Sequence, residues 1–485
     1  MTSLMQRFSP PVLVLLMTGC SLAPTYEQPA LPVPNLWAPI KKAGKPDMVP
    51  PELHDVAVAD WRQFVPDPRL HALMLAAFEH NRDMRLAVAQ IEEARALYGI
   101  ARAERFPTVN ANAKGDASRT PGSARSTGGF ANTGQDIVYR RYDVNLGISA
   151  FELDFWGRVK SLEKAALANY LATTEAKEAF RLSLITNVGN AYFTLLELEE
   201  RVALAYATVQ NREANRELMA QRRKVGLVND LDLLAADSAL ENARIALIDL
   251  ERRRAQANNA LNLLVGTQPP NLPPKRPLAE IDFLHNIPVA VPSEILLRRP
   301  DVKAAEQRLI AAHANIGAAR AAFFPKIDLN FSYGTASSLL SGLFEKGTKA
   351  WSFTPQLTQP LFDAGNASAN VDLAEARKNI AIAQYEKTVQ QAFRDLADGL
   401  ETRDLLFAQL TANVAAEKAG TERLKLVEAR YKVGLSNYLE LLDAQRDAFA
   451  AQQSTVEMRS VVLAAMIQLY SALGGTTEQR GKPTS

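Results

Sequence analysis

Ala101-Arg102-Ala103-Glu104-Arg105-Phe106-Pro107 returns 218 residues later as Ala319-Arg320-Ala321-Ala322-Phe323-Phe324-Pro325. Working outward, Asn81-Arg82-Asp83-Met84-Arg85 is echoed at the same offset by Arg299-Pro300-Asp301-Val302-Lys303. On the other side, Lys224-Val225-Gly226-Leu227 returns as Lys432-Val433-Gly434-Leu435, and Val265-Gly266 as Leu473-Gly474, both at an offset of 208. Self-similarity held over separate segments marks two copies of one structural unit. The ten-residue change of offset falls between Pro107 and Gly157, where the first copy is expected to have the longer loop.

Each copy reads as helix, strand, strand, long helix, turn, helix. The stretch 157–225 has no interior proline and is rich in Ala, Leu, Glu, Gln and Arg, all good helix formers. It would run about 100 Å as a helix. Leu182, Ile185, Tyr192, Leu195, Leu196, Leu198, Val202 and Val209 keep helical spacing along it. So long a pattern predicts coiled-coil-like packing, and frequent alanine permits close helix approach.

Four short segments have period two instead. In 143–150 Val144, Leu146, Ile148 and Ala150 alternate with polar residues, and in 326–334 Ile327, Leu329, Phe331 and Tyr333 do so. Trp351, Phe353 and Leu357 form a third set, with Pro355 awkwardly among them, and Val109, Ala111 and Ala113 a weaker fourth. Strands of about 7–11 residues with one apolar face match the length that crosses an outer membrane when tilted. Four strands cannot close a wide barrel and lipid leaves no edge unpaired, so spanning strands imply oligomerisation, three chains making twelve. The bland alternative is a soluble α+β protein whose strand faces pack on its helices.

The predicted organisation is a signal peptide over 1–19, an N-terminal tether over 20–66, the first repeat over 67–268, a Pro-rich connector over 269–298, the second repeat over 299–474 and a tail over 475–485. Length alone suggests about three domains, and the repeat replaces that division. The chain has 485 residues, a formal charge of +2 and one cysteine, which excludes a disulfide framework and a multi-cysteine metal site. Near-neutral charge argues against a nucleic-acid partner. The first apolar run, 8–20, is too short to span a bilayer but suits a signal peptide. It ends in Met17-Thr18-Gly19-Cys20, which resembles a bacterial lipobox; the resemblance implies a diacylglycerol and an N-acyl chain on Cys20, and Ser21 implies outer-membrane sorting. No other cofactor is expected. Eight prolines between Pro24 and Pro51 predict an extended tether.

The resemblance to a known family rests on Phe151-Glu152-Leu153-Asp154-Phe155-Trp156-Gly157-Arg158, Pro292-Ser293-Glu294-Ile295-Leu296-Leu297-Arg298-Arg299-Pro300-Asp301, Ala314-Asn315-Ile316-Gly317-Ala318-Ala319-Arg320 and Leu441-Leu442-Asp443-Ala444-Gln445. Together with the repeat, these segments resemble the TolC-type outer-membrane factors, in particular the OprM-like efflux lipoproteins, over essentially the whole mature chain. The resemblance implies a mainly α fold with a small β part: a homotrimer with a twelve-stranded barrel, four strands per chain, and a long periplasmic α-helical barrel. It also implies a passive exit duct in the outer membrane, reaching into the periplasm and served by a periplasmic adaptor protein and an inner-membrane pump of the resistance-nodulation-division type.

Val225-Gly226-Leu227 and Val433-Gly434-Leu435 stand between paired helices. Glycine ends helices, so both read as hairpin turns, and the family's matching turns dock the adaptor. Just past the second turn, Leu439 and Asp443 are i and i+4 on one helix face. Repeated around a threefold axis they would form an apolar ring and an acidic ring, which narrow a bore and favour cations. Glu440 and Asp443 resemble acidic positions at the family's closed entrance, and Leu439 an apolar constriction; the first copy has Ala235 in place of Asp443. Tyr431, beside Arg430, matches a tyrosine that ties the inner hairpin to its neighbour. Ser436 stands where one branch has a basic latch, so that bond is not implied here.

Enzyme motifs are missing: no P-loop, G-x-G-x-x-G, G-x-S-x-G or H-E-x-x-H occurs, and His54, His71, His80, His285 and His313 form no metal-ligand pair. Arg222-Arg223-Lys224 and Arg252-Arg253-Arg254 lie in helical sequence among acids such as Glu241 and Glu251, and read as solvated faces. Two other function classes stay open at this point: export of proteins rather than small molecules, and a periplasm-spanning structural lipoprotein without a channel.

Overall fold

In the computed structural model the described residues are 22–34, 61–121, 136–281 and 293–475. Helices α1 (Trp61–Phe64), α2 (Pro68–His80) and α3 (Arg82–Ala103) lead into strands β1 (Val109–Thr120) and β2 (Ile137–Glu152). Then come α4 (Arg158–Lys224) and α5 (Asp230–Val265). The second copy supplies α6 (Pro300–Ala321), β3 (Lys326–Ser337), β4 (Lys349–Thr358), α7 (Asn366–Lys432) and α8 (Tyr438–Ala472).

The repeat holds element by element. Helices α3 and α6 are both 22 residues long and start 218 apart, while α4 and α7 are both 67 long and start 208 apart. The ten-residue surplus does not sit in a loop alone: β2 has 16 residues against 10 in β4, and the rest lies mainly in the longer β1–β2 connection.

One compact unit takes the described parts of Met1–Pro29, Glu92–Ala172 and Glu306–Ala383. Its four-stranded antiparallel sheet has the order β1-β2-β3-β4. The register places Ala111, Leu146, Tyr333 and Trp351 in one row across the sheet, and Val109, Ile148, Phe331 and Phe353 in the next. These rows make one apolar face. The other face carries Asn112 bonded to Asn145 (3.3 Å) and Ser332 bonded to Ser352 (2.8 Å). Apart from Gly147 the described strand residues are exposed or half-exposed, and no described helix is laid over the apolar rows. The soluble reading, with strand faces packed on helices, therefore fails. Pro355 pairs with Leu329 in β4, an edge strand, where a missing N–H is tolerated. A bulge falls between Ile148 and Phe151, where Ala150 has φ 52° and its N–H donates to Asn330 Oδ1 at 2.8 Å.

Where α4 meets α6 in this unit, the contact is Ala165, Ala168, Ala311 and Ala314, the close approach that alanine allows. Residues 22–34 are extended, as the prolines dictate, yet packed. Tyr26 donates to Glu306 at 3.1 Å and meets the His313 ring edge-on at 5.9 Å. Ala23 lies so close to Gly317 that a Cβ there would approach its methyl to 2.7 Å. Gly317, in the run 314–320, is where helix α6 makes room for the chain. Cys20 and the signal peptide lie outside the described residues.

The second unit takes the described parts of Ala30–Ile91, Thr173–Ala305 and Gln384–Ser485. Here Trp61, Phe64 and Val65 are buried, so the end of the expected tether is core. Asp67 caps α2, accepting from Leu70 N at 2.7 Å, with Pro68 at the first helical position. Ile185, Tyr192, Leu195, Leu196, Leu198, Val202 and Val209 are buried, as their spacing predicts. Along 385–400 of α7 the buried residues are Tyr385, Val389, Ala392, Leu396 and Leu400, at steps of three and four. Arg299 of the motif segment is buried and donates to the Ala472 carbonyl (3.0 Å) and to Asp301 (2.8 and 3.1 Å), closing the C-terminus of α8.

Candidate functional site

The two glycine turns are built alike. Gly226 and Gly434 have φ of 76° and 79°, in the left-handed region that ends helices. Gly226 N–H donates to the Arg223 carbonyl and Leu227 N–H to that of Arg222, both at 2.9 Å. In the second copy Gly434 bonds Tyr431 at 3.1 Å and Leu435 bonds Arg430 at 2.8 Å. These paired bonds satisfy the last carbonyls of α4 and α7. Asn229 then caps α5 through Asp232 N (2.9 Å), and Asn437 caps α8 through Glu440 N (2.8 Å). The backbone needs are thus met within each turn, leaving the side chains free. Val225, Leu227, Val433 and Leu435 are 69, 74, 71 and 69% exposed. Each turn thus holds two aliphatic side chains in water, uncovered among the described residues.

Behind the tips lies a cluster of Met219, Ala236, Val427, Tyr438, Leu441 and Ala444, with Tyr431 and Ala235 packed on it. Leu439 is exposed, and Asp443 is half-exposed and pairs with Arg446 at 3.3 Å. They share the face of α8 turned away from the cluster, as the i, i+4 spacing predicts. Glu440 is half-exposed beside them.

Tyr431 meets the end of α4: Arg222 donates to its hydroxyl at 3.2 Å and stands 5.6 Å from its ring centre. The Tyr431 and Tyr438 rings are 5.9 Å apart. The tie therefore joins the two hairpins of one chain. Arg430 is spent on its own turn, donating to the Leu435 carbonyl at 3.2 Å. Ser436 Oγ is buried without a hydrogen-bond partner among the described residues, in keeping with the missing latch.

Sequence reasoning passed over three features. Arg222 and Arg223, which by sequence look like a solvated face, are engaged: Arg222 holds Tyr431 and Arg223 pairs with Asp230. Position at a helix C-terminus was the available signal, since cations favour it. Arg212 of α4 is buried and donates to Gln445 of α8, and burial pushes its guanidinium below the ordinary arginine range. Finally, at one end of the sheet every strand carries an exposed aromatic: Phe106 before β1, Phe155 after β2, Phe323 before β3 and Phe362 after β4. Trp156 there donates to the Pro325 carbonyl at 2.9 Å and stacks on Phe324. Aromatic girdles mark the interfaces of membrane barrels.

An open sheet with one apolar and one polar face, long paired helices and two apolar tips define a membrane channel subunit. A sequence model of the outer membrane efflux protein family matches residues 73–267 and 291–475, and the chain belongs to that family. It is 41% identical over 471 residues to the outer membrane protein OprJ of Pseudomonas aeruginosa, covering 96% of this chain and 94% of that one. It is 40% identical to the solvent efflux pump outer membrane protein SrpC of Pseudomonas putida over 465 residues, 95% of this chain and 96% of the other. Among solved structures it resembles a Pseudomonas aeruginosa membrane protein (TM-score 0.85, 41% identity, covering 94% and 98%). It also resembles the open state of the MtrE outer membrane channel of Neisseria gonorrhoeae (TM-score 0.81, 36% identity, 94% and 98%). The fold is that of the TolC-type channels, and the family is one of transport proteins rather than enzymes. No described helix is long and apolar enough to cross a membrane.

Proposed function

We propose that the chain is the outer-membrane exit duct of a tripartite efflux system, passing small toxic molecules handed over by an inner-membrane pump through a periplasmic adaptor. The observation that carries this is the four-stranded sheet with two free edges, β1 and β4, an apolar outer face and a polar inner face. Such a sheet is viable in lipid only when its edges are paired, and three copies joined β4 to β1 close a twelve-stranded barrel with a polar lumen. The aromatic girdle fixes the interface level.

In this reading Val225, Gly226, Leu227, Val433, Gly434 and Leu435 dock the adaptor, and Leu439, Glu440 and Asp443 line the periplasmic entrance with Tyr431 steadying it. The pump is of the resistance-nodulation-division type. Cys20 carries the diacyl and N-acyl chains, whose buried methylenes anchor the chain at about 0.8 kcal/mol each. Relatives with printed roles in solvent and antibiotic efflux favour small molecules over proteins as cargo. The test is deletion followed by drug and solvent susceptibility, with adaptor pull-down from the same strain. Hypersensitivity restored by the intact gene, together with co-purification, is expected. An unchanged susceptibility profile and a trimer without conductance in a planar bilayer would overturn it.

A further inference from the structure

We propose that Arg212 is a positioning residue for the periplasmic entrance: it is buried against α8 with a neutral amide, that of Gln445, in place of a counter-charge, and so holds α8 on α4 by a contact built to let go. The inference rests on the reading that the Leu439–Asp443 face of α8 is the gate.

Arg212 is only 8% exposed, and its hydrogen bond goes to Gln445 Oε1. No carboxylate pairs with it among the described residues. A buried guanidinium without a counter-charge opposes the packing that buries it. What favours that packing is the neighbouring apolar cluster of Met219, Tyr438, Leu441 and Ala444. When α8 leaves α4, the guanidinium regains water and the cluster is lost, two opposing changes that keep the two arrangements close in free energy.

Two comparisons within the chain set off the missing counter-charge at Arg212. Farther along the same two helices, Arg201 donates to Gln453, and Gln453 returns a bond to the Arg201 carbonyl at 3.2 Å. There the guanidinium is neutralised, by Glu197 at 2.7 Å and Glu457 at 3.6 Å. The repeat supplies the second comparison. The position matching Gln445 in the first copy is Asp237, which makes a 2.8 Å ion pair from α5 to Arg216 of α4. The first copy keeps Leu231 and Asp232 where Leu439 and Glu440 stand but has Ala235 in place of Asp443, and its acid closes an ion pair within its own hairpin; the amide of the second copy instead receives the arginine of the other hairpin.

Two substitutions should therefore lock α8 by different routes. Gln445→Glu supplies the missing charge, and Arg212→Met removes the stranded one. Each is expected to raise Tm and lower the open probability of the full-length trimer in planar bilayers about tenfold, the factor that 1.4 kcal/mol carries. A plain structural staple predicts the opposite for Arg212→Met: a lower Tm and a leakier channel. That result, or a Gln445→Glu channel opening as freely as the parent, overturns the proposal. Leu439→Ala with Asp443→Ala is run beside them. Unchanged conductance in that variant overturns the gate reading and this inference with it, whereas a leaky double variant beside a freely opening Gln445→Glu overturns this inference alone.

Discussion

Replacing Gly434 separates the turn's fold from its surface. At φ 79° an L-residue costs about 1–2 kcal/mol, because its Cβ crowds the following carbonyl. No heavy atom lies within 4 Å of a Cβ built at Gly434, so the side chain itself meets open space. Gly434→Ala and Gly434→Glu therefore share the same backbone cost and should lower Tm equally, by a few degrees. They differ in what they present between Val433 and Leu435. A carboxylate carried into an apolar contact without a partner costs several kcal/mol, so Gly434→Glu should weaken adaptor binding at least 100-fold. Gly434→Ala should bind within a few-fold of the parent. Site-specific crosslinking to the adaptor and drug susceptibility read the two outcomes. Normal crosslinking with normal efflux in Gly434→Glu would refute the assignment of the tips to docking, and equal loss in both variants would show that only the turn's backbone matters.

Leu439→Ala with Asp443→Ala should raise the conductance of the resting trimer, and an unaltered single-channel current would remove the entrance from this face of α8. Tyr431→Phe loses the acceptor of Arg222 while keeping both ring contacts, at about 1 kcal/mol, and should raise leakage severalfold; a channel as tight as the parent counts against the tie. The His313 imidazole, against Tyr26, is held below its ordinary 6.5 by burial and by Lys378, Lys164 and Arg320. The unfolded chain therefore takes up the proton first, so this site's stability is whole above about pH 6.5 and falls as pH drops toward the folded value. Protection factors over residues 22–34, which compare the exchange rate with the intrinsic rate at each pH, should fall between about pH 7 and 5.5 in the parent and not in His313→Gln; equal pH dependence in both would clear His313 of the effect.

Much of the fold was legible because it is periodic. Steps of three and four along 185–209 identify the buried face of α4, since one helical side must face the neighbour. Alternation through Leu329, Phe331 and Tyr333 identifies the apolar face of β3 in the same way. The site was legible where local chemistry is decisive: Lys-Val-Gly-Leu names a left-handed helix stop, and Leu439 with Asp443 names a face. The described parts of the expected tether are packed rather than loose, because proline content reports conformation and not contact. An extended chain can lie against Gly317 as readily as in water, and Trp61, Phe64 and Val65 find their core in the company of distant helices.

The repeat, the long helix over 157–225, the strand faces and the turns can be read from the sequence, because all follow from backbone geometry and from neighbours within a few residues. The tertiary structure alone decided the partners: Arg222 with Tyr431, Arg212 with Gln445, Tyr26 with Glu306, each more than 200 residues apart. It also decided that the extra residues of the first copy lengthen β2 rather than only its loop. Charge pairing, burial and the fate of a stranded guanidinium depend on which helices lie side by side, and no spacing along the chain carries that information.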